Sequence, residues 1–138
     1  MSAFVPVVYA DLNSRQQENY NFQKIAARLA DYGYNSIRLS DDFEGADFIA
    51  LHIRGETLLR IQLKGRLSFD AKYYGKGLHI AFMDGDDLFI YPHDELRQRI
   101  KTAGLLEKSK SEAWVKHGSR SWPYIPKNLR ALVEEYKL

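Results

Sequence analysis

The sequence predicts one small α/β domain. Three observations carry that expectation: a helical stripe near the start, five apolar or β-branched runs of strand length after it, and short polar links that fold those runs back on one another. With 138 residues the chain suits a single domain, 1–138, and an apolar share of 45% is enough for one core. No stretch is repetitive, or polar enough to argue for disorder.

Val5 to Tyr9 reads as a short extended lead-in, which Pro6 keeps at an edge of a sheet or outside it. Ser14 with Gln17 three residues on fits a capping box, and Phe22, Ile25, Ala26 and Leu29 recur at helical spacing up to Gly33, so a helix is expected over about 15–32. Residues 34–39, 47–53 and 57–64 read as strands, the last two antiparallel across Arg54-Gly55-Glu56. In the third run Leu59, Ile61 and Leu63 alternate with Arg60, Gln62 and Lys64. A period of two therefore sets Gln62 and Lys64 on one face, away from the core residues. Residues 68–76 read as one or two helical turns before a glycine-marked bend. A second hairpin follows, 78–83 and 87–91, turning at Asp84-Gly85-Asp86. Helices are expected over 94–101, ended by Gly104, and over 108–114. A loop over 119–126 then leads to a final helix that Pro126 starts and that runs through Leu129, Leu132, Val133 and Tyr136.

The chain has no cysteine, which excludes disulfides, thiolate zinc sites and cysteine nucleophiles; four scattered histidines do not make a zinc site. Met1 to Ala10 lacks the basic segment of a signal peptide, and no apolar run reaches membrane-spanning length, so a soluble, cytoplasmic protein is expected. The net charge is only +2, yet it is unevenly placed. From Arg97 to Arg130 nine Lys/Arg stand against two Glu, while residues 1–56 carry five Lys/Arg against eight Asp/Glu. A basic C-terminal third beside an acidic N-terminal part suits a binder of phosphate backbones that also holds a metal, and it equally suits a solvated charged face.

One helix, then three strands with an Asp on the second and Gln-x-Lys on the third, is the order in which the PD-(D/E)xK nuclease superfamily builds its site. The chain resembles that superfamily at Glu44-Gly45-Ala46-Asp47-Phe48-Ile49 and at Ile61-Gln62-Leu63-Lys64-Gly65. Residues 88–96, Leu-Phe-Ile-Tyr-Pro-His-Asp-Glu-Leu, are similar to the strand, proline and helix start of many small members. The resemblance implies a restriction-endonuclease-like core of αβββαβ type, a central mixed sheet flanked by helices, with further helices at the C-terminus. It also implies a Mg²⁺-dependent (or Mn²⁺-dependent) endodeoxyribonuclease. Asp47, the Gln62 side chain and the backbone carbonyl of Leu63 would then hold the metal. Phosphodiester hydrolysis needs such a hard cation to neutralise charge on the phosphoryl oxygens and to acidify the attacking water. Lys64, on the same strand face as Gln62, would orient the water or stabilise the transition state.

In members acting on branched DNA the first helix often adds a carboxylate, and Glu18 is the candidate here. Steps of four, three and four residues put it on one face with Phe22, Ile25 and Leu29; its alternative role is to favour the helix dipole. Gln62 departs from the Asp or Glu of most members and offers the metal one fewer negative charge. That departure supports a second expectation of another class, a nuclease-like module that binds nucleic acid or protein without hydrolysis. Lys108, Lys110, Lys116 and Arg120 are the candidate nucleic-acid contacts. Trp114, Trp122 and Tyr124 among them either stack bases or, as is more often the case near prolines, cap a small core. His93 is expected to cap or support its neighbours, not to act as a base. Because nucleases that cut both strands often pair, a homodimer is a further expectation.

Overall fold

In the computed structural model, residues 2–105 and 118–138 are described. The elements in chain order are α1 (Ser14–Ala30), β1 (Tyr34–Phe43), β2 (Ala46–His52), β3 (Leu58–Leu63), β4 (Ser68–Asp70), β5 (Leu78–Asp84), β6 (Asp87–Pro92), α2 (His93–Thr102), β7 (Ser119–Ser121) and α3 (Arg130–Glu134). The expected helix over 108–114 lies outside the described residues.

α1 starts one residue earlier than the Ser14/Gln17 pairing predicts. Asn13 is the cap: its side chain accepts from the Gln16 amide at 2.8 Å, and Gln16 Oε1 accepts from the Asn13 amide at 2.9 Å. The reciprocal bonds satisfy two donors that a helix end leaves open, and Ser14 is already inside the helix. At the other end Gly33 takes φ +85°, and its amide donates to Ala30. A side chain there would be strained and would also meet the His52 imidazole, 2.9 Å from an added Cβ.

The main sheet has the order β1-β2-β3-β5-β6. Three of its neighbours pair antiparallel, and β3 pairs with β5 in parallel, so the sheet is mixed, as expected. A parallel neighbour requires a crossover. It is made by β4 and a 3-10 turn at Ala71–Tyr73, where sequence spacing predicts only helical turns. β4 pairs with β7, a strand in the place of the expected 119–126 loop, to form a second, two-stranded sheet. Both strands are three residues long and rich in serine, too short and polar to show a strand period. α3 is also shorter than predicted: residues after Pro126 form turns, and the helix begins only at Arg130.

Alternation sorts the main sheet into two packed faces. Phe48, Ala50, Ile61 and Leu63 meet Ile25 and Leu29 of α1, and Phe22 of that helix stands edge-on to Phe48 at 5.0 Å. On the other side Ile80, Phe82, Phe89 and Tyr91 pack with Leu96 and Ile100 of α2 and with Val133 of α3. Full burial of a side chain such as Phe48 or Ile61 contributes about 1.5–3 kcal/mol. Among the described residues no helix is long and apolar enough to cross a membrane.

Candidate active site

The ladder between β2 and β3 runs from the Leu51–Leu58 pair to the Phe48–Ile61 pair and stops there. In the same register Asp47 would stand opposite Gln62. The carboxylate takes over where the main-chain pairing ends: Asp47 Oδ2 accepts from the Leu63 amide at 2.8 Å. The next amide, that of Lys64, points the opposite way and donates to Ala81 of β5 at 2.9 Å. Successive amides of a strand face opposite edges, so Leu63 is the one left for a side chain from β2. A main-chain group thus fixes the Asp47 carboxylate, at the end of the sheet where Gln62 and Lys64 emerge.

Because Ile61 and Leu63 face α1, Gln62 and Lys64 lie on the opposite side of β3, together with Asp47 of β2. All three border one depression of about 360 Å³, with Lys72, Tyr73 and Lys76. The Lys64 ammonium sits 5.4 Å from the centre of the buried Tyr73 ring, which Lys72 shares at 5.2 Å. A cation over a ring face is attracted by its quadrupole, and this contact holds Lys64 at the depression that Asp47 also borders. The Gln62 amide nitrogen donates to the Leu63 carbonyl at 3.3 Å, so the acceptor oxygen of that amide is the atom not used in this bond.

Glu18 reaches the same place from α1. It borders a depression of about 300 Å³ with Asp47, Gln62, Leu63 and Lys64. One side of that depression is closed by the segment before the helix, where Asn21 Nδ2 donates to the Tyr9 hydroxyl at 2.8 Å and Gln17 Nε2 to the Tyr9 carbonyl at 3.2 Å. Glu18 itself is exposed and paired with Arg38 at 2.7 Å. Arg38 also donates to Asn19 and lies 5.1 Å over the Phe22 ring, so a guanidinium already balances this acid. A third depression, about 600 Å³, joins Glu18, Arg38 and Asp47 to Asp41.

Among the described residues no three His, Asp or Glu side chains gather into a metal-binding group. The available donors are one carboxylate (Asp47), one amide (Gln62) and one main-chain carbonyl (Leu63). All are hard oxygen donors, which suit Mg²⁺ or Mn²⁺ and not zinc, though they bring a single formal negative charge.

No protein-family model and no curated protein matches the chain. A bacterial homing endonuclease is similar in part. That solved structure, of I-Ssp6803I, shares 14% identity over 60% of this chain and 67% of its own, with a TM-score of 0.45.

Of the candidate nucleic-acid contacts, Lys108, Lys110 and Lys116 lie outside the described residues, as does Trp114. Arg120 is on β7, its guanidinium 4.8 Å over the Trp122 ring, and it borders a cleft that Lys64 also borders. The other two aromatics part company: Trp122 is buried in the core, the structural role favoured for it, whereas Tyr124 is 75% exposed.

Two groups that support this end of the molecule escape the strand pattern. The Tyr91 hydroxyl donates to the Ser68 carbonyl at 2.6 Å and accepts from the Ser68 amide at 3.1 Å. Burial holds its phenol far above the usual range, against the opposing pull of the Ser68 hydrogen bond. His93 is fully buried, and its Nε2 accepts from the Asp70 amide at 3.1 Å. The proton must then be on Nδ1, which donates to Asp94 Oδ1 at 2.7 Å. Nε2 thus ties β4 to the start of α2, and Nδ1 is held by Asp94 of the same helix. The only sign of them in the sequence is a Tyr-Pro-His run closing an apolar strand, which does not reveal what the rings hold.

Proposed function

We propose that the chain is a Mg²⁺-dependent nuclease of the PD-(D/E)xK kind that hydrolyses DNA phosphodiester bonds. The observation that carries this reading is the meeting of Asp47, Gln62 and Lys64 on one face at the open end of β2 and β3, with the Asp47 carboxylate fixed by the Leu63 amide. Asp47, the Gln62 amide oxygen and the Leu63 carbonyl would hold the cation. When bound, it supplies charge neutralisation at the phosphoryl oxygens and a more acidic water.

The chain's own groups do the rest. The Leu63 amide keeps the carboxylate in one position, so no reorganisation is needed when substrate arrives. Lys64, steadied over Tyr73, brings a positive charge to the phosphate, where negative charge grows as the bond to the leaving oxygen lengthens. Glu18 is an auxiliary acid whose charge Arg38 balances in the free protein. The scarcity of acids among the described residues favours a second reading, a module that binds nucleic acid without cutting it, since one carboxylate and an amide attract a divalent ion weakly.

The deciding experiment is a cleavage assay on duplex, single-stranded and branched DNA with Mg²⁺ or Mn²⁺. Lys64→Ala and Asp47→Asn are expected to lower cleavage by about 10²–10³-fold, the usual cost of removing one electrostatic contributor. Asp47→Asn is the preferred variant because its amide oxygen can still accept from the Leu63 amide, so the fold is kept while the charge is removed. In parallel, Mn²⁺ should raise the unfolding temperature of the wild type, by about 2.7 kcal/mol of stability at a hundred times the Kd, and leave Asp47→Asn unmoved. No cleavage of any substrate by the wild type overturns the nuclease and leaves the module; equal Mn²⁺ responses overturn the metal site.

A further inference from the structure

The main sheet is covered unevenly. On the face away from α1, the side chains of β5 and β6 lie under Leu96 and Ile100 of α2 and Val133 of α3. Beside them the same face of β1, β2 and β3 is open among the described residues. Register sets Ile37 next to Ile49, and Leu51 next to Leu58, on this open face. None of the four joins either core. Ile37 is 55% exposed, Leu58 52% and Leu51 37%, where the solvated side of an antiparallel sheet ordinarily carries polar residues. Phe43, half exposed beneath the Arg60 guanidinium at 5.6 Å, extends the patch at one end, and the exposed Ile53 extends it at the other. These six side chains offer roughly 500 Å² of contiguous surface, the upper end of what a monomer exposes and commonly an interaction site.

The rim indicates what covers the patch. Arg60 stands against Glu44 at 3.3 Å at one end, and the hairpin at the other carries Arg54 and Glu56, all at the surface. A rim of both signs repels half of a strongly acidic or basic partner and has no preference for a nucleic acid. It is complementary to itself, because a two-fold rotation can bring the cations of one copy to the acids of the other. An apolar centre with such a rim approaches the ~800 Å² that each member of a stable pair contributes. Approach is to the face of the sheet and not to its edge: the register of β1 shifts between Arg38 and Phe43, and an irregularity of that kind bends an edge strand away from further pairing.

We infer that a second copy of this chain docks on the open face of β1, β2 and β3, so that the two sheets pack face to face about a two-fold axis with Ile37, Leu51 and Leu58 at the centre. The pairing is argued from this face alone and does not rest on the nuclease reading.

The test is size-exclusion chromatography with light scattering over a dilution series of the full chain, freed of nucleic acid. The wild type is expected at twice the 16.0 kDa of one chain and to dissociate only on dilution. Raised KCl should leave the dimer intact, since apolar burial is not screened. Leu58→Lys places two like charges in the contact, one from each copy, and should raise the dimer Kd by about 30-fold or more, the scale of losing a central contact residue. Ile37→Thr, which keeps a β-branched residue on the strand, should raise it less and guards against a folding defect, read by circular dichroism. Val5→Lys, at an apolar residue that is 73% exposed away from the sheet, should pair as the wild type does. A wild type that is monomeric at every concentration, as it would be if an unrelated protein covered this face, overturns the inference. So does a dimer that salt dissociates, or one that persists unchanged in folded Leu58→Lys and Ile37→Thr.

Discussion

The five-stranded sheet keeps its strands by continuous main-chain ladders between two buried apolar faces. β4 and β7, three residues each, are held to the body of the protein by side chains: Tyr91 on Ser68, His93 on Asp70. The first arrangement is redundant, since removing one side chain leaves the ladder. In the second, each hydrogen bond is a separate tether, and Phe69 of β4 meets Tyr91, His93 and Trp122 as an aromatic cluster instead of a sheet layer. The candidate site lies at the boundary between them: Asp47, Gln62 and Lys64 come from the end of the large sheet, and the cleft beyond Lys64 from the tethered strands.

The contrast predicts stability effects of different size and kind. Phe48→Ala, in the centre of the large sheet, should destabilise the whole protein by about 3–5 kcal/mol in urea unfolding, the loss of a buried ring plus a cavity. A loss confined to the amides near α1 would break the comparison, because it would mean that the large sheet does not unfold as one unit.

Tyr91→Phe should cost less, about 1–3 kcal/mol, since it removes only the hydroxyl and leaves the Ser68 amide and carbonyl without their buried partner. Its signature is local. Hydrogen exchange at Ser68 should accelerate far more than at Ile61, and equal acceleration at both would show that the small sheet has no separate stability.

The smallest effect concerns His79 on β5, whose pKa burial lowers below the usual 6.5 while Glu95 pulls it upward. The unfolded chain takes up a proton near 6.5 and the folded one resists it, so stability is full above that pH and declines as pH falls toward the lower folded value. His79→Gln should flatten the acid side of a plot of unfolding temperature against pH. An unchanged slope would assign the acid sensitivity to another group.

Much of the main sheet is legible in the sequence because period-two burial is written residue by residue: Leu59, Ile61 and Leu63 against Arg60, Gln62 and Lys64. The same rule places the two candidate residues of β3 on one face. The cap at Asn13 is missed by one position because Ser14, Gln16 and Gln17 all belong to the residue types that cap helices. β4 and β7 are missed for a deeper reason. Ser-Phe-Asp and Ser-Arg-Ser have no period, and their pairing joins segments about fifty residues apart, so nothing local records it.

Local alternation and turn chemistry are properties of neighbours along the chain, and on their own they determined that a helix precedes hairpins and that Asp47, Gln62 and Lys64 are the polar residues of apolar strands. Only the tertiary structure decided that β2 and β3 part at Phe48, so that the Leu63 amide takes the Asp47 carboxylate. It also decided that Glu18 is balanced by Arg38 and that Tyr91 and His93 reach across to β4. Charge balance and hydrogen-bond satisfaction depend on which groups meet across space, and a chain pattern does not carry that.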